Sequence, residues 1–200
     1  MHTIGLVILA AGASTRLGTP KQLLRYQGQT LLRRAAEMAL AASCRPVIVV
    51  LGAYADSLCA ELQGLPVRIV ENREWEQGMG SSICAGVKEL LALSETEPEP
   101  EAVLFMLCDQ PLVSAQLLNR LIETHRETGR LIVASEYDQT LGVPALFHRS
   151  LFSELSRLKG TEGAKQILQR YPAQTLGVPF PEGSVDIDTP ADYKRLGESY

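Results

Sequence analysis

Residues 4–9, Ile-Gly-Leu-Val-Ile-Leu, carry no polar side chain and run directly into a stretch of small residues, Ala10-Ala11-Gly12-Ala13-Ser14. A strand without a polar face has no side to offer to water, so it must lie in a parallel sheet covered on both faces. Residues 47–51 and 103–107 have the same character, and residues 67–70 form a shorter version. Between these runs, residues 30–42, 55–62, 81–93 and 114–127 place apolar side chains at helical spacing. Strand and helix in alternation mean βαβ crossovers, so the chain is expected to fold as an α/β three-layer sandwich with a mostly parallel sheet.

Residues 94–101 are acidic and proline-bearing and are expected to form a solvated surface loop. Past Arg130 the pattern loosens. Residues 131–135 and 144–147 read as short strands, 149–158 and 163–171 as helices, and 190–196 as a last helix. At 200 residues one core suffices, and residues 1–200 are expected to form a single domain.

A net charge of -4 leaves no basic footprint for nucleic acid, so an anionic ligand must meet a local positive site. Cys44, Cys59, Cys84 and Cys108 lack the close pairing of a zinc site. No stretch approaches the roughly 20 apolar residues that span a bilayer, and no secretory leader is legible. Cytoplasm is therefore the expected compartment, with no membrane partner.

The loop after the first strand carries the chemistry. In parallel α/β sheets ligands bind outside the carboxyl ends of the strands, where small residues let backbone N–H groups approach phosphate oxygens. Leu9, Ala10, Ala11, Gly12, Ser14 and Gly18 supply that cradle. Arg16 and Lys21 add positive charge where a polyphosphate would sit. No Gly-Lys-Ser/Thr closes the loop, and the dinucleotide spacing Gly-x-Gly-x-x-Gly is missing, so neither of those classes fits.

Cys108-Asp109-Gln110-Pro111 stands at a second strand end. A carboxylate beside a phosphate loop suits Mg²⁺, which is held by one or two carboxylates plus substrate phosphates; capping the next helix is the alternative role for Asp109. In Asp186-Ile187-Asp188-Thr189-Pro190, alternation puts Asp186 and Asp188 on one face if Ile187 faces the core, so that one acid completes the metal site. Thr189 would cap the last helix and Pro190 would take its first position. Asn72 lies just past the strand of residues 67–70, and Gly80, Ser81 and Ser82 stand at a helix start; these are expected to touch the nucleoside, with N-capping as the alternative for one serine. Trp75 and Met79 read as packing, and His125 and His148 show no partner acid.

Taken in order, the motifs at residues 9–21, Cys108-Asp109-Gln110-Pro111, Gly142-Val143-Pro144-Ala145-Leu146-Phe147 and Asp186-Ile187-Asp188-Thr189-Pro190 resemble the MobA-like nucleotidyltransferases. The nearest branch is similar to the molybdenum cofactor cytidylyltransferases. The resemblance implies a Rossmann-like fold of the nucleotide-diphospho-sugar transferase type, with CTP or another NTP as donor and a molybdopterin phosphate as acceptor. It implies that the loop binds the NTP, that Lys21 contacts phosphate and that Asp109 and Asp188 hold Mg²⁺; from their charge and placement Arg16, Lys21 and Asp109 are expected to carry catalysis. The NTP-binding half would be about residues 1–112 and the acceptor-side half about 113–200. Two departures concern the acceptor: Thr140-Leu141 replaces an arginine, and Gly160-Thr161-Glu162-Gly163-Ala164-Lys165 replaces Gly-Asp-x-Gly-Ala-Arg. Sugar phosphates or other small phosphates therefore stay open as acceptors. A non-catalytic accessory protein, handing nucleotide or cofactor to a client molybdoenzyme, is the alternative from another class.

Overall fold

The computed structural model describes residues 3–93 and 99–199. The chain starts with β1 (Thr3–Ala10), a small hairpin of β2 (Arg25–Tyr26) and β3 (Gln29–Thr30), and α1 (Leu31–Ala41). It continues with β4 (Val47–Leu51), α2 (Ala55–Cys59), β5 (Arg68–Glu71), α3 (Met79–Leu93) and β6 (Pro100–Leu107). Then come α4 (Ala115–Thr128), β7 (Ile132–Tyr137) and β8 (Thr140–His148). The short α5 (Phe152–Leu155), α6 (Ala164–Arg170), β9 (Thr175–Pro179) and α7 (Pro190–Ser199) complete it.

Seven strands form one sheet in the order β5-β4-β1-β6-β8-β7-β9, parallel except for β8. The expected α/β sandwich is therefore present, and the two faces sort by residue parity. Leu6, Ile8, Val49, Leu51, Leu104 and Met106 pack with residues of α1 and α4 on one side. Val7, Ile48, Val50, Val103 and Phe105 pack with α3, α5 and α6 on the other. Both faces are buried, as a strand without polar positions requires.

Three features depart from the sequence reading. β9 and the β2–β3 hairpin were not foreseen; β9 is a half-buried edge strand with Gly177 and Pro179, which weakens its apolar signature. The expected surface loop of residues 94–101 lies outside the described residues at 94–98, whereas Pro100 and Glu101 already belong to β6. Proline is tolerated there because the first residue of a strand need not donate to the ladder. Finally, the short strands expected at residues 131–135 and 144–147 are longer, Ile132–Tyr137 and Thr140–His148, and with β9 they extend the sheet beyond β6.

Helix α3 lies close on β1 because glycines face each other's neighbours. A Cβ on Gly86 would stand 2.5 Å from Val7 Cγ1, and one on Gly5 would stand 2.5 Å from Leu90 Cδ1. Gly86→Val is therefore expected to overpack the interface and cost about 1–3 kcal/mol, read from the midpoint of chemical denaturation. Pairing it with Val7→Ala should recover part of that loss.

Candidate active site

Parallel pairing of β1 with β6, Leu9 opposite Leu107, brings the carboxyl ends of two central strands level. The loop of residues 11–20 leaves one end and Asp109 leaves the other. A cleft of about 180 Å³ opens between them, walled by Leu9 to Gly12, Lys21, Gln22, Leu107 to Asp109 and, from α3 and the turn before it, Trp75, Met79 and Ser82. A side chain at Gly12 would meet no protein atom within 4 Å, so this glycine leaves room for a ligand against the backbone. Gly18 is needed for its conformation instead, with φ at +73°.

The loop is held from inside. The buried amide of Gln22 donates from Nε2 to the carbonyls of Ala10 at 2.9 Å and Gly12 at 2.8 Å. Ala11 O accepts from the Ala53 N–H at 3.1 Å. Three successive carbonyls are thus occupied, and in a trans peptide each following N–H points the opposite way. Ser14, at φ +54°, accepts at Oγ from the Lys21 N–H at 3.1 Å, which fixes where that lysine starts.

Lys21 Nζ donates to the Asp109 carboxylate and, at 3.1 Å, to Asp188 Oδ1. Arg16 reaches Asp188 Oδ2 at 2.7 Å. Arg16, Lys21, Asp109 and Asp188, far apart in sequence, are therefore one ion cluster. Burial by itself would depress Lys21, but the two carboxylates outweigh it and hold the ammonium above its ordinary range. Burial would likewise raise Asp188, and the bonds and charges of Lys21 and Arg16 bring it below the usual carboxylate range. Asp186 is raised, first by burial and then by the charges of Asp188 and Asp109. The Cys108 thiol is pushed up to about 12, chiefly by burial and then by Asp109, which keeps it from serving as a nucleophile.

Two further polar residues that the sequence reading left without a role set this geometry. Gln110 donates to Val143 O at 3.2 Å and Gly183 O at 3.1 Å, tying the end of β6 to β8 and to the turn after β9. Asp109 O accepts from the Ile187 N–H at 3.1 Å, while Ile187 is fully buried, so the alternation of Asp186 and Asp188 about an apolar pin is as expected. Asp192 Oδ2 accepts from the Thr189 N–H at 2.8 Å and its hydroxyl at 2.7 Å. The Asp192 N–H in turn donates to Thr189 Oγ1 at 3.3 Å. This reciprocal cap was readable as Thr-x-x-Asp; nothing in a single sequence singles out Gln22 or Gln110.

The nucleoside candidates are placed differently. Asn72 Nδ2 donates to Ser81 Oγ at 2.8 Å and Ser82 Oγ at 3.0 Å, an internal network in which only Ser82 also lines the cleft. Ser81 turns its hydroxyl to Gly78 O and Glu74 O, and the Gly80 N–H is spent on Gly160 O at 3.2 Å. Trp75 packs against the core layer under α3, as expected, and also lines the cleft wall; Met79 lines the same wall and is 41% exposed.

A divalent cation fits this donor set. Asp109 Oδ1 is buried and has no hydrogen-bond partner among the described residues, an acceptor that a cation would satisfy. Among those residues no group of three or more His, Cys, Asp and Glu side chains forms a complete cage. Two carboxylates instead leave coordination positions for substrate oxygens.

Residues 6–175 match the family described as MobA-like NTP transferase domain. Nicotine blue oxidoreductase of Paenarthrobacter nicotinovorans is 40% identical over 83% of this chain and 81% of its own length. Rv0371c of Mycobacterium tuberculosis H37Rv is 33% identical with a TM-score of 0.80, covering 99% of each chain. A structure of Rv0371c in complex with manganese gives 31% identity and a TM-score of 0.72, over 99% of this chain and 100% of that one. A nucleotidyl transferase from Methanothermobacter shares the fold, with a TM-score of 0.81 at 23% identity over 99% and 97% of the two chains.

Two outcomes are expected. Gln22→Met, which keeps the volume and removes the clasp, should weaken nucleotide binding at least tenfold by calorimetry. Asp192 sits at about 2 because its bonds to Thr189, the hydroxyl first, favour the charged form. A carboxylate depressed on folding stabilises the protein above its unfolded value and loses that contribution as pH falls, here from 3.8 toward about 2. Acid titration of Asp192→Ala, followed by circular dichroism, should show less loss across that window than the parent.

Proposed function

The chain belongs to the MobA-like NTP transferase family, and from that premise we propose that it transfers the nucleotidyl group of CTP to a molybdopterin phosphate, with Mg²⁺ as the metal. The observation that carries this reading is the convergence of Arg16, Lys21, Asp109 and Asp188 at the mouth of a cleft bounded by the first-strand loop. The motif resemblance described above supports the choice of CTP and molybdopterin. No helix among the described residues is long and apolar enough to cross a membrane, which agrees with small diffusible substrates.

In the proposed reaction an acceptor phosphate oxygen attacks the α-phosphorus in line. A new P–O bond forms, the bond between the α-phosphorus and its bridging oxygen breaks, and pyrophosphate leaves with the electron pair. A phosphate monoester is already ionised near neutral pH, so the protein has to position and neutralise rather than supply a strong base. Arg16 and Lys21 stabilise the departing pyrophosphate, Lys21 as a compact point charge. Asp109 and Asp188 hold the cation, which when bound neutralises phosphate charge. The loop N–H groups bind the triphosphate, while Trp75 and Met79 offer an apolar wall to its base.

The name of the 40% identical relative raises a redox reading. Against it stands a first loop without the Gly-x-Gly-x-x-Gly spacing of dinucleotide binding. The deciding assay follows pyrophosphate release with Mg²⁺ and each of ATP, CTP, GTP and UTP, with and without molybdopterin carrying molybdenum, beside an assay for NADH and NADPH oxidation. Pterin-dependent release that prefers CTP is the expected result. Release with another base or acceptor changes the substrates alone; nicotinamide oxidation without release replaces the reading. Asp109→Ala should cut turnover by at least 100-fold, the scale on which one electrostatic group acts, and leave the thermal unfolding transition in place.

A further inference from the structure

The ammonium of Lys21 occupies the position between Asp109 and Asp188, the pair assigned above to the metal. We propose that Lys21 is the resting counter-ion of the metal site: it competes with the divalent cation for the two carboxylates, so the protein takes up metal well only when a triphosphate draws Lys21 away. This inference rests on the transferase reading and adds an order of loading to it.

The physical case has three parts. First, Asp109 is nearly buried, and a buried carboxylate left without a partner is costly, so something positive must attend it whenever the cleft holds no ligand. Lys21, itself only 19% exposed in its side chain, fills that need. Second, Lys21 satisfies Asp109 through Oδ2 alone, and the buried Oδ1 keeps no partner among the described residues. The ammonium therefore serves Asp109 only in part, and a divalent cation taking its place would engage the oxygen left over as well. Third, Lys21 adjoins the phosphate loop through its own N–H bond to Ser14 Oγ, so its side chain can exchange carboxylates for phosphates while its backbone stays fixed. Arg16, with its side chain 71% exposed, guards Asp188 more loosely and leaves at less cost.

Each charge therefore has a partner in both states. Without ligand, two acids face two bases. With metal and triphosphate bound, the acids face the metal and the bases face the phosphates. Metal alone would leave the lysine's positive charge beside a divalent cation, and triphosphate alone would bring its anionic oxygens against the two carboxylates. Mutual dependence of this kind is a coupling free energy, and it is reciprocal.

The test is Mn²⁺ binding to nucleotide-free protein, read by electron paramagnetic resonance of the free ion and by the Mn²⁺-induced rise in melting temperature. Parent protein is expected to bind Mn²⁺ weakly. Lys21→Met should bind it at least tenfold more tightly and show a larger thermal shift, because the ion fills the charge vacancy left by the substitution. Arg16→Gln should move the same way to a smaller degree, and Lys21→Arg should behave like the parent. If Lys21→Met is too unstable to purify without metal, folding rescued by added Mn²⁺ supports the proposal. Unchanged or weaker Mn²⁺ affinity in Lys21→Met overturns it, whatever Arg16→Gln does. Failure of the parent to bind Mn²⁺ even with CTP present would instead count against the metal assignment itself.

Discussion

Everything in this molecule hangs on β1, which pairs with β4 on one edge and β6 on the other and is buried on both faces. A strand so placed has no freedom to slip, because every side chain is claimed by one helical layer or the other. Its carboxyl end is therefore a fixed point. The loop of residues 11–20 begins at that point, and Asp109, two residues past the end of β6, is level with it.

Around this anchor, buried or locally bonded polar groups set the positions of the charged cluster. The Gln22 amide clasps two carbonyls of the loop, the Gln110 amide ties β6 to two later segments, and Asp192 closes the turn bearing Asp188. Each is buried or bonded locally, and each stands one to four residues from a charged member of the cluster. The charged residues can then remain exchangeable, since what holds them in place is the backbone beneath and not the ion pairs themselves. Such a division suits the proposed transfer, in which the charges bound at the site change.

The sheet and its layers were legible because continuous apolar strands and amphipathic helices leave different periodic traces. The first loop was legible because glycines and bases crowd at one strand end. That one acid of the pair about Ile187 would approach Asp109 was legible in the alternation, but nothing local told which of Asp186 and Asp188 shares Lys21 with it. β9 escaped notice because an edge strand broken by Gly177 and Pro179 keeps too little apolar alternation. Gln22 and Gln110 escaped because a buried amide looks like a surface amide until its neighbours are known. Trp75 packs as its type suggests, and the close approach at Gly52, where a Cβ would stand 2.7 Å from Trp75 Cβ, is what also brings it against the loop.

The bonds from Arg16 and Lys21 to Asp188 close loops of 172 and 167 residues. Loop-closure entropy rises only slowly with length, so such contacts are affordable, yet they form only when the intervening chain already has its native path. The site thereby acts as a clasp between the two ends of the fold. A ligand bridging the loop and Asp188, as in the proposed reaction, would add to the packing of Leu196 and Tyr193 in holding α7 against the body of the protein. Occupancy would then raise the local stability of the last helix, and each would report on the other.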